Sequence, residues 1–489
     1  MKVALISVDN ELYCVGIRIL SACLRREGHQ VQTLFLPQQV QGMGDGKKFQ
    51  TAYSSKLLES IWKLCTDADL VGISLLTNYL HRAVNITEYL KTHNIKAPII
   101  WGGVHPTVDP EMCLEYADIV CVGEGEDAFI ELVNHMENGR SYFETKNMWF
   151  KGKQEVIRNP LRPLIQNLDA IPFPDYSGVG HFLAVDDSLV PLTSERLKQF
   201  EGERFAIRRQ GLFYPMMTSR GCPWACTYCC NSVYKRLYPN QKRLRYRSVE
   251  NVIGEIKMIA SEIERPMYVV FADDNFTAQN GDSLKRFCEQ YKREIGIPFF
   301  CHCDPLTISE EKLKTLIDGG CAKIGMGVES ASERIATMYG RGRFHSALPK
   351  ALSLIERYRS QMQFPPSYQF IIDNPHETIE DTLETLRLAV SLKKPWDNPI
   401  FSLVLFPGTP LYETAKSEGL VLDKHMQIYG RDWHEHSNPF FKFWTRLYRA
   451  NLPRVFLRLL LIPVIARFLA SDYLKPLWRG RLFRWSQNA

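Results

Sequence analysis

Several features are missing from this 489-residue chain, and each absence excludes a class of protein. The first residues, MKVALISVDN, lack the basic start, the apolar run and the cleavage site of a secretory leader, so we expect a cytoplasmic protein. The 13 cysteines are an odd number scattered over a long chain, which does not suit a disulfide framework. Buried thiols and a metal site in a reducing compartment suit them better.

Little net charge remains once one segment is set aside. The chain carries a formal charge of +6, but residues 442–484 alone hold ten Lys or Arg residues and one Asp. The rest of the chain has 50 basic and 53 acidic residues. A nearly neutral body does not indicate nucleic acid, and we expect no such partner.

Apolar runs alternate with helical stretches through the first 140 residues, which is typical of a parallel sheet covered on both faces. The runs are residues 3–7, 31–36, 70–75, 99–101 and 119–122. We therefore predict a doubly wound, Rossmann-like α/β domain over residues 1–140. No G-x-G-x-x-G motif opens its first helix, where Val8-Asp9-Asn10-Glu11 stands instead, so a dinucleotide is disfavoured.

The remainder of the chain divides into three parts. Residues 141–205 contain Pro160, Pro163, Pro172 and Pro174, which interrupt any helix, and we interpret this segment as a linker and partial cap. Residues 206–424 show six strand–helix units, which predict a partial (β/α)6 barrel with its active site at the carboxyl ends of the strands. Residues 425–489 form a basic, aromatic tail that we expect to be mostly helical.

Three cysteines follow the first barrel strand in one short segment, Cys222, Cys226 and Cys229. Three thiolates leave one iron of a four-iron cluster open, whereas an electron-carrying cluster usually has four. A zinc site is the alternative, but it needs a fourth ligand and a different spacing. We exclude the neighbouring Cys230 from the ligand set and expect its side chain to point away from the loop.

The C-x-x-x-C-x-x-C motif, with Tyr228 before its last cysteine, resembles the radical S-adenosylmethionine (SAM) superfamily signature. The resemblance implies a [4Fe-4S] cluster whose open iron binds SAM, and reductive cleavage of SAM to a 5′-deoxyadenosyl radical. It also implies SAM contacts at strand ends from Tyr228, Asp273, Asp274, Glu329 and Ser330. Each strand-end motif alone is also compatible with a solvated turn. At the fifth strand, Asp373-Asn374-Pro375 departs from the family pattern.

Three loops of the first domain resemble those of the cobalamin-binding domain that is fused to radical SAM barrels. The residues that the resemblance assigns to cobalamin are Ser74, Thr77, Gly102, Gly103, Val104, His105, Gly123, Glu124 and Gly125. The alternative is that these glycines only form tight turns. No His is followed by Gly three residues later, so we predict that no D-x-H-x-x-G histidine coordinates cobalt.

The resemblance implies a cobalamin-dependent radical SAM enzyme that transfers a methyl group to an unactivated carbon. No side chain needs to act as a nucleophile, and the implied partners are a small-molecule or lipid-like substrate and a flavodoxin- or ferredoxin-like electron donor. One alternative keeps both cofactors but catalyses ring formation, oxidation or rearrangement. Another is a non-catalytic corrinoid and iron–sulfur carrier.

Three further features have two interpretations each. Cys301-His302-Cys303 lies within a strand, which favours buried thiols over a metal site. His434-Glu435-His436 favours a solvated loop over a ligand pair. Residues 455–469 are apolar, but the run is too short and too charged to span a bilayer. One interpretation is that the tail contacts anionic lipid peripherally, through aromatic residues such as Trp444, Tyr448 and Phe456. The other is that it forms a helical cap on the barrel.

Overall fold

Two sheets organise the molecule, one for each predicted α/β unit. The computed structural model describes residues 1–37, 52–152, 154–204, 213–263, 265–395, 397–431, 436–471 and 473–474. Within these residues the front sheet has nine strands, the second sheet has six, and a further pair forms a small antiparallel ribbon. The expected fold class, a Rossmann-like front domain joined to a partial barrel and a helical end, is confirmed.

The front domain alternates strands and helices as its apolar runs predict. Its first elements are β1 (Lys2–Ser7), α1 (Val15–Arg26), β2 (Gln30–Phe35), α2 (Ser55–Cys65), β3 (Leu70–Ser74), α3 (Leu80–Thr92), β4 (Ile99–Gly102), α4 (Val104–Val108), α5 (Pro110–Tyr116), β5 (Ile119–Cys121) and α6 (Glu126–Glu137). The five strands are parallel in the order β5-β4-β3-β1-β2. Strand order reverses between β1 and β3, and ligands of such sheets bind at this crevice.

The segment expected to be a linker instead extends the front sheet at both edges. It contains β6 (Met148–Lys151), β7 (Val156–Arg158), β8 (His181–Val185), β9 (Ser188–Pro191) and α7 (Ser194–Arg204). β6 and β7 continue antiparallel from β5, and β8 pairs parallel with β2 before turning into β9. Pro160, Pro163, Pro172 and Pro174 all lie between β7 and β8, so they interrupt no strand.

Six parallel strands in consecutive order form the barrel sheet, as predicted. The elements are β10 (Phe213–Met216), β11 (Ser219–Arg220), α8 (Cys230–Leu237), β12 (Arg245–Tyr246), α9 (Val249–Glu262), β13 (Tyr268–Phe271), α10 (Gly281–Glu294), β14 (Phe299–Cys303), α11 (Glu310–Asp318), β15 (Cys321–Glu329), α12 (Glu333–Met338), α13 (Gly342–Tyr358), β16 (Ser367–Ile372), α14 (Ile379–Ser391), β17 (Ile400–Ser402) and α15 (Pro410–Ser417). The sheet order is β10-β13-β14-β15-β16-β17, and β11 pairs with β12 apart from it.

The described residues from 436 to 471 are mostly helical, and part of this segment belongs to the core. A π-helical turn (His425–Tyr429) precedes α16 (Pro439–Arg449), α17 (Arg454–Leu459) and α18 (Pro463–Ala470). Trp444 and Tyr448, which one of the two interpretations placed at a lipid surface, are buried at 0% and 2% exposure, as the helical-cap interpretation requires. Trp478, Phe483 and Trp485 of the predicted tail lie outside the described residues. Among the described helices, none combines the length and the apolar content that a bilayer crossing requires.

The structure gives positions for residues of two short Cys/His motifs from the sequence. Cys301 and Cys303 are buried at 2% and 5% exposure and contribute to the barrel core, as the buried-thiol interpretation requires. His436 is also buried, and its Nδ1 lies 3.2 Å from a carboxylate oxygen of Asp373. The expectation of a solvated loop was therefore wrong for His436, because Asp373 at the end of β16 binds it. His434 and Glu435 lie outside the described residues.

Candidate functional site

The three cysteines lie in the loop between β11 and α8, at the carboxyl end of β10. Cys229 is the N-cap residue of α8, and its backbone N–H donates to the Cys226 carbonyl at 3.0 Å. Gly221, just before Cys222, has a φ of 85°, and a Cβ there would lie 2.5 Å from the Arg243 carbonyl oxygen. The loop therefore begins at a position that only glycine fits.

Other barrel loops hold this cysteine loop in place. The Thr227 N–H donates to the Tyr339 carbonyl at 3.1 Å, and the Leu411 N–H donates to the Thr227 carbonyl at 3.0 Å. The Trp224 indole N–H donates to Asp304 at 2.6 Å. The loop is thus fixed by residues that follow three different barrel strands, which keeps its thiols in position before any cluster binds.

Asp273 and Asp274, both predicted to contact SAM, have different roles. The Asp273 carboxylate is buried and accepts hydrogen bonds from the Thr218 N–H at 3.1 Å, the Thr218 hydroxyl at 3.0 Å and the Ser219 hydroxyl. Burial raises the pKa of Asp273 to about 6. Its oxygens are engaged in holding the start of the cysteine loop, so a SAM contact from Asp273 does not fit. Asp274 instead accepts from Asn231 at 3.0 Å and faces a cavity.

Glu329, Tyr228 and Arg341 lie together beside the cysteine loop. Glu329 ends β15 with a φ of 66° and is half-buried near Tyr228, and desolvation raises the pKa of its carboxyl group. Arg341 donates to the Gly327 carbonyl at 2.7 Å, and its other terminal nitrogen lies 3.6 Å from the Cys226 sulfur. A carboxylate and a guanidinium therefore stand next to a predicted cluster cysteine, which suits a small molecule that carries both charges.

Two neighbouring residues differ from expectation. The Ser330 hydroxyl lies 3.2 Å from the Thr385 hydroxyl and accepts the Ser332 N–H at 3.1 Å, so it is turned towards α14. Cys230 does not point away from the site. It faces the cavity, and its hydrogen bond to Cys229 lowers the pKa of Cys229. Its place at the start of α8 explains this orientation, since that helix begins at the cavity wall.

A cavity of about 410 Å³ separates the front domain from the cysteine loop. The predicted residues that line it on the front side are Ser74, Gly102, Gly103, Val104, Gly123, Glu124 and Gly125. Gly221, Cys230, Asn231 and Asp274 line it on the barrel side. One space is therefore bounded by the loops predicted for cobalamin and by the loop predicted for the cluster.

Two of the glycines are required by their conformation and by space. Gly103 has a φ of 105°, and a Cβ there would lie 2.9 Å from the Leu75 carbonyl oxygen. Gly123 has a φ of 89°, and its Cβ would lie 1.9 Å from the Tyr238 hydroxyl oxygen. Side chains at these positions would distort the loops, so the loops present bare backbone to the cavity.

Thr77 and His105 do not line this cavity, contrary to the prediction. Both are buried, and the Thr77 hydroxyl lies 3.2 Å from His105 Nδ1. Burial lowers the pKa of His105 to about 3, which keeps the ring neutral. Their contact joins the loop that follows β3 to the loop that follows β4. The described residues that line the cavity include no histidine, and the absence of a histidine ligand to cobalt stays a prediction.

Ion pairs join the two domains at the edge of the cavity. Glu124 of the front domain lies 2.8 Å from Arg245 and 3.2 Å from Arg220 of the barrel domain. Arg220 also pairs with Glu126 at 2.5 Å. The Arg245 side chain is only 5% exposed. The Glu124 carboxylate thus binds the other domain, and we call these four residues the domain clamp.

Two family models match the chain, one in each domain. The B12 binding domain matches residues 1–133, and the Radical SAM superfamily matches residues 216–389. The chain therefore combines a B12 binding domain with a radical SAM domain. As a radical SAM enzyme with a B12 binding domain, it has three cofactors: cobalamin, SAM and a [4Fe-4S] cluster.

Known proteins similar to this radical SAM enzyme cover most of its length. An uncharacterized methyltransferase of Pyrococcus horikoshii is 28% identical over 85% of the chain and 81% of its own. The anaerobic magnesium-protoporphyrin IX monomethyl ester cyclase of Rubrivivax gelatinosus is 22% identical over 72% and 58%. The radical SAM methyltransferase TsrM of Kitasatospora setae, with cobalamin and a [4Fe-4S] cluster bound, matches with a TM-score of 0.62 at 15% identity, covering 86% of this chain and 75% of its own.

The residues present fit these cofactors. The loops over the cavity provide bare backbone at Gly103 and Gly123, as a large corrinoid requires. Cys222, Cys226 and Cys229 lie on one anchored loop beside the same cavity. In the described part of the chain, no three His, Cys, Asp or Glu side chains converge on a single ion. Three cysteines are one ligand short of a structural zinc site, whereas they leave one iron of a four-iron cluster open.

Sequence reasoning missed several residues of the site. Arg341 and Asp304 contact the cysteine loop from distant parts of the chain, and neither lies in a motif that we recognised. Asp304 directly follows β14, and this strand-end position was an available signal. The two arginines of the domain clamp offered no comparable signal.

Proposed function

We propose that this radical SAM enzyme transfers a methyl group to an unactivated carbon of a small-molecule or lipid-like substrate. The observation that supports this most is the single cavity that contacts both the cobalamin loops and the cysteine loop. When bound, the cluster and SAM supply a 5′-deoxyadenosyl radical and cobalamin supplies a methyl group. A shared cavity would allow the same substrate carbon to meet the radical and the methyl donor.

In this proposal, the side chains of the protein hold and orient the cofactors and exclude water from the cavity. Cys222, Cys226 and Cys229 are proposed to bind the cluster, and Arg341 and Glu329 to bind the charged and hydroxyl groups of SAM. On the front side, apolar side chains of α1 line the cavity and keep water from a reactive radical. They are Val15, Ile17, Ile19 and Leu20.

The reaction needs one electron for each radical formed. We propose an external flavodoxin- or ferredoxin-like protein as the donor and a reducing, cytoplasmic setting for the reaction. Cys222 and Cys229 are half-buried, so the cysteine loop lies near the protein surface. Such a position suits electron transfer from a docked partner.

The test combines reconstituted enzyme, methyl-labelled SAM and an extract of small molecules under anaerobic conditions. We expect 5′-deoxyadenosine and a product that carries the label. The Cys226→Ala variant should form neither, whereas Cys65→Ala, which removes a buried thiol from α2 of the front domain, should form both. Failure of the wild-type protein to form any 5′-deoxyadenosine would favour the carrier alternative.

Ring formation, oxidation or rearrangement without methyl transfer is the second candidate function. The relationship to a cyclase supports it, because a protein of similar sequence is named for ring closure. The same labelling experiment separates the two functions. An altered product without label, formed together with 5′-deoxyadenosine, would contradict methyl transfer and support this alternative.

A further inference from the structure

The last two described helices, α17 and α18, have apolar residues both on the side that packs on the protein and on the side that faces outward. α17 and α18 pack on α14 and α16, and the residues that face inward are Leu457, Leu461 and Ala466, each at most 1% exposed. These contacts form the helical cap that the sequence analysis gave as one interpretation. A cap of this kind normally presents polar residues to solvent.

The outward side of this cap is apolar instead. Of the 14 large apolar side chains that are exposed among the described residues, eight lie within residues 455–473. They are Val455 (71%), Phe456 (46%), Leu459 (49%), Ile462 (41%), Val464 (75%), Ile465 (39%), Phe468 (61%) and Tyr473 (84%). We call these eight residues the apolar face. Such a concentration marks an interaction site, because exposed apolar residues elsewhere are scattered singly.

The charge around the apolar face is mostly positive. Residues 437–473 contain six Lys or Arg residues and one acidic residue, Asp472. Arg458 is exposed between Val455 and Leu459. Arg467, beside Phe468, pairs with Glu380 of α14, which is one acidic contact at this edge. Basic side chains set among apolar ones match the phosphates and acyl chains of an anionic lipid surface.

A protein partner fits this surface less well. Arg458 and Arg467 stand beside the apolar face, and a second copy of this chain would bring the same positive charges to the contact, where like charges oppose association. A lipid interface accepts this arrangement, since long basic side chains reach the headgroups while their neighbours enter the acyl boundary. The observations therefore favour lipid over a second protein chain.

The apolar face also has a defined position relative to the active site. The Ala470 carbonyl at the end of α18 accepts a hydrogen bond from Asn438 at 3.2 Å. The adjacent Ser437 N–H donates to Asp373 at 3.0 Å, and Asp373 follows the carboxyl end of β16. The end of α18 is thus tied to the same edge of the barrel as the cysteine loop.

We propose that this enzyme docks on an anionic lipid bilayer through the apolar face. Docking turns one side of the barrel mouth towards the membrane, which suits a substrate that partitions into lipid. It deepens the lipid-like substrate class of the proposed function, but it does not depend on whether the product is methylated.

The experiment is flotation of the cofactor-loaded enzyme with vesicles. The probes are phosphatidylcholine vesicles with and without phosphatidylglycerol. We expect the wild type to float with the anionic vesicles and much less with the neutral ones. The triple variant Phe456→Ser, Val464→Ser and Phe468→Ser should lose at least about tenfold in vesicle partitioning. Arg458→Gln should weaken binding to the anionic vesicles only.

A matched triple variant controls for the loss of exposed apolar groups. Val179→Ser, Met267→Ser and Leu422→Ser remove side chains that are 63%, 49% and 86% exposed elsewhere, and they should float like the wild type. Both triple variants should form 5′-deoxyadenosine in solution at the wild-type rate, which separates a docking defect from a chemical one. Equal flotation of the two triples, or a wild type that does not float, would overturn the proposal. So would a dimer in gel filtration that only the first triple abolishes.

Discussion

Arg341 is a buried cation in direct contact with a predicted cluster ligand. Its guanidinium lies 3.6 Å from the Cys226 sulfur and is packed over the Phe344 ring at 4.0 Å. Burial opposes its charge, but Tyr228, Glu329 and Cys226 together outweigh burial and raise its pKa. It therefore stays charged, and a hydrogen bond to a ligating sulfur raises the reduction potential of a cluster.

Replacing this cation should make the cluster harder to reduce. We expect Arg341→Met to lower the reduction potential and to slow 5′-deoxyadenosine formation by about 10- to 100-fold. Redox titration followed by electron paramagnetic resonance measures the first effect. Arg343→Met, two residues away and exposed, is the matched control and should change neither quantity. An unchanged potential in Arg341→Met would show that the guanidinium does not act on the cluster.

Gly123 combines an unusual backbone conformation with a lack of space. We expect Gly123→Ala to cost about 1–2 kcal/mol of stability from its positive φ and to lose cobalamin, because the new methyl group meets the Tyr238 hydroxyl. Gly139→Ala controls for conformation, since Gly139 has a φ of 62° and no atom near its Cβ position. Bound cobalamin after gel filtration, read from its absorbance, should fall only for Gly123→Ala.

The Tyr238 hydroxyl allows a test of whether the steric clash or the backbone conformation causes the loss of cobalamin. This oxygen is buried without a hydrogen-bond partner among the described residues, so Tyr238→Phe alone should be neutral. Added to Gly123→Ala, it removes the atom that lies 1.9 Å away and should restore part of the cobalamin binding. No recovery in the double variant would mean that backbone strain, rather than the clash, causes the loss.

Helix α1 forms one wall of the cavity, and a buried carboxylate fixes its position. Asp175, from the connection between β7 and β8, accepts hydrogen bonds from Ser21 at 2.7 Å and His181 at 3.1 Å, and it lies 2.9 Å from Arg25. Burial acts to raise the pKa of Asp175, but hydrogen bonds from His181, Ser177 and Ser21 outweigh burial and hold the pKa below its usual value of 3.8.

This lowered pKa predicts a pH-dependent contribution to stability. The folded state keeps Asp175 ionised at pH values where the unfolded chain takes up a proton, so the contribution is present above about pH 4 and is lost as the pH falls further. We expect Asp175→Asn to cost about 1–3 kcal/mol at pH 7 and to show a smaller loss in acid than the wild type. Thermal midpoints of the cofactor-free protein from pH 3 to 7 test this. Asp186→Asn, at an exposed turn, should follow the wild-type curve.

The elements that the sequence predicted best are the long apolar ones. All six barrel strands and the first five front strands appear where apolar runs indicated them, because burial on both faces leaves a strong local pattern. β6 to β9 were missed because they are short, have a mixed composition, and lie at or next to the two edges of the sheet. Asp273 was assigned to SAM by resemblance to the family. Its hydrogen-bond donors, Thr218 and Ser219, come from a separate segment, so no local pattern in the sequence shows this contact.

At the scale of the whole molecule, the domain clamp fixes the width of the cavity. Glu124 is 12% exposed and neutralises two arginines of the other domain, so its loss leaves buried positive charge uncompensated. We expect Glu124→Gln to destabilise the domain contact by about 3 kcal/mol and to speed cobalamin release. Formation of 5′-deoxyadenosine should decrease less, because the cysteine loop has its own anchors within the barrel.

The control for the clamp is an exposed ion pair of similar geometry. Glu111→Gln breaks the surface pair with Arg158, at 2.8 Å, and should change cobalamin release very little. The two dissociation rates are compared by chasing labelled cobalamin with unlabelled cobalamin. Equal rates in the two variants would contradict a special role of Glu124. The sequence did not predict the clamp, since its arginines are more than 90 residues from Glu124.

The two walls of the cavity are made at different times during synthesis. The front wall on α1 leaves the ribosome first, but the facing wall is complete only after Asp274, which follows β13, has emerged. Until then, Val15, Ile17 and Leu20 border an open groove rather than a closed chamber. We therefore expect cobalamin to bind late in the maturation of this enzyme, and we expect a chain truncated within the front domain to expose the apolar side chains of α1.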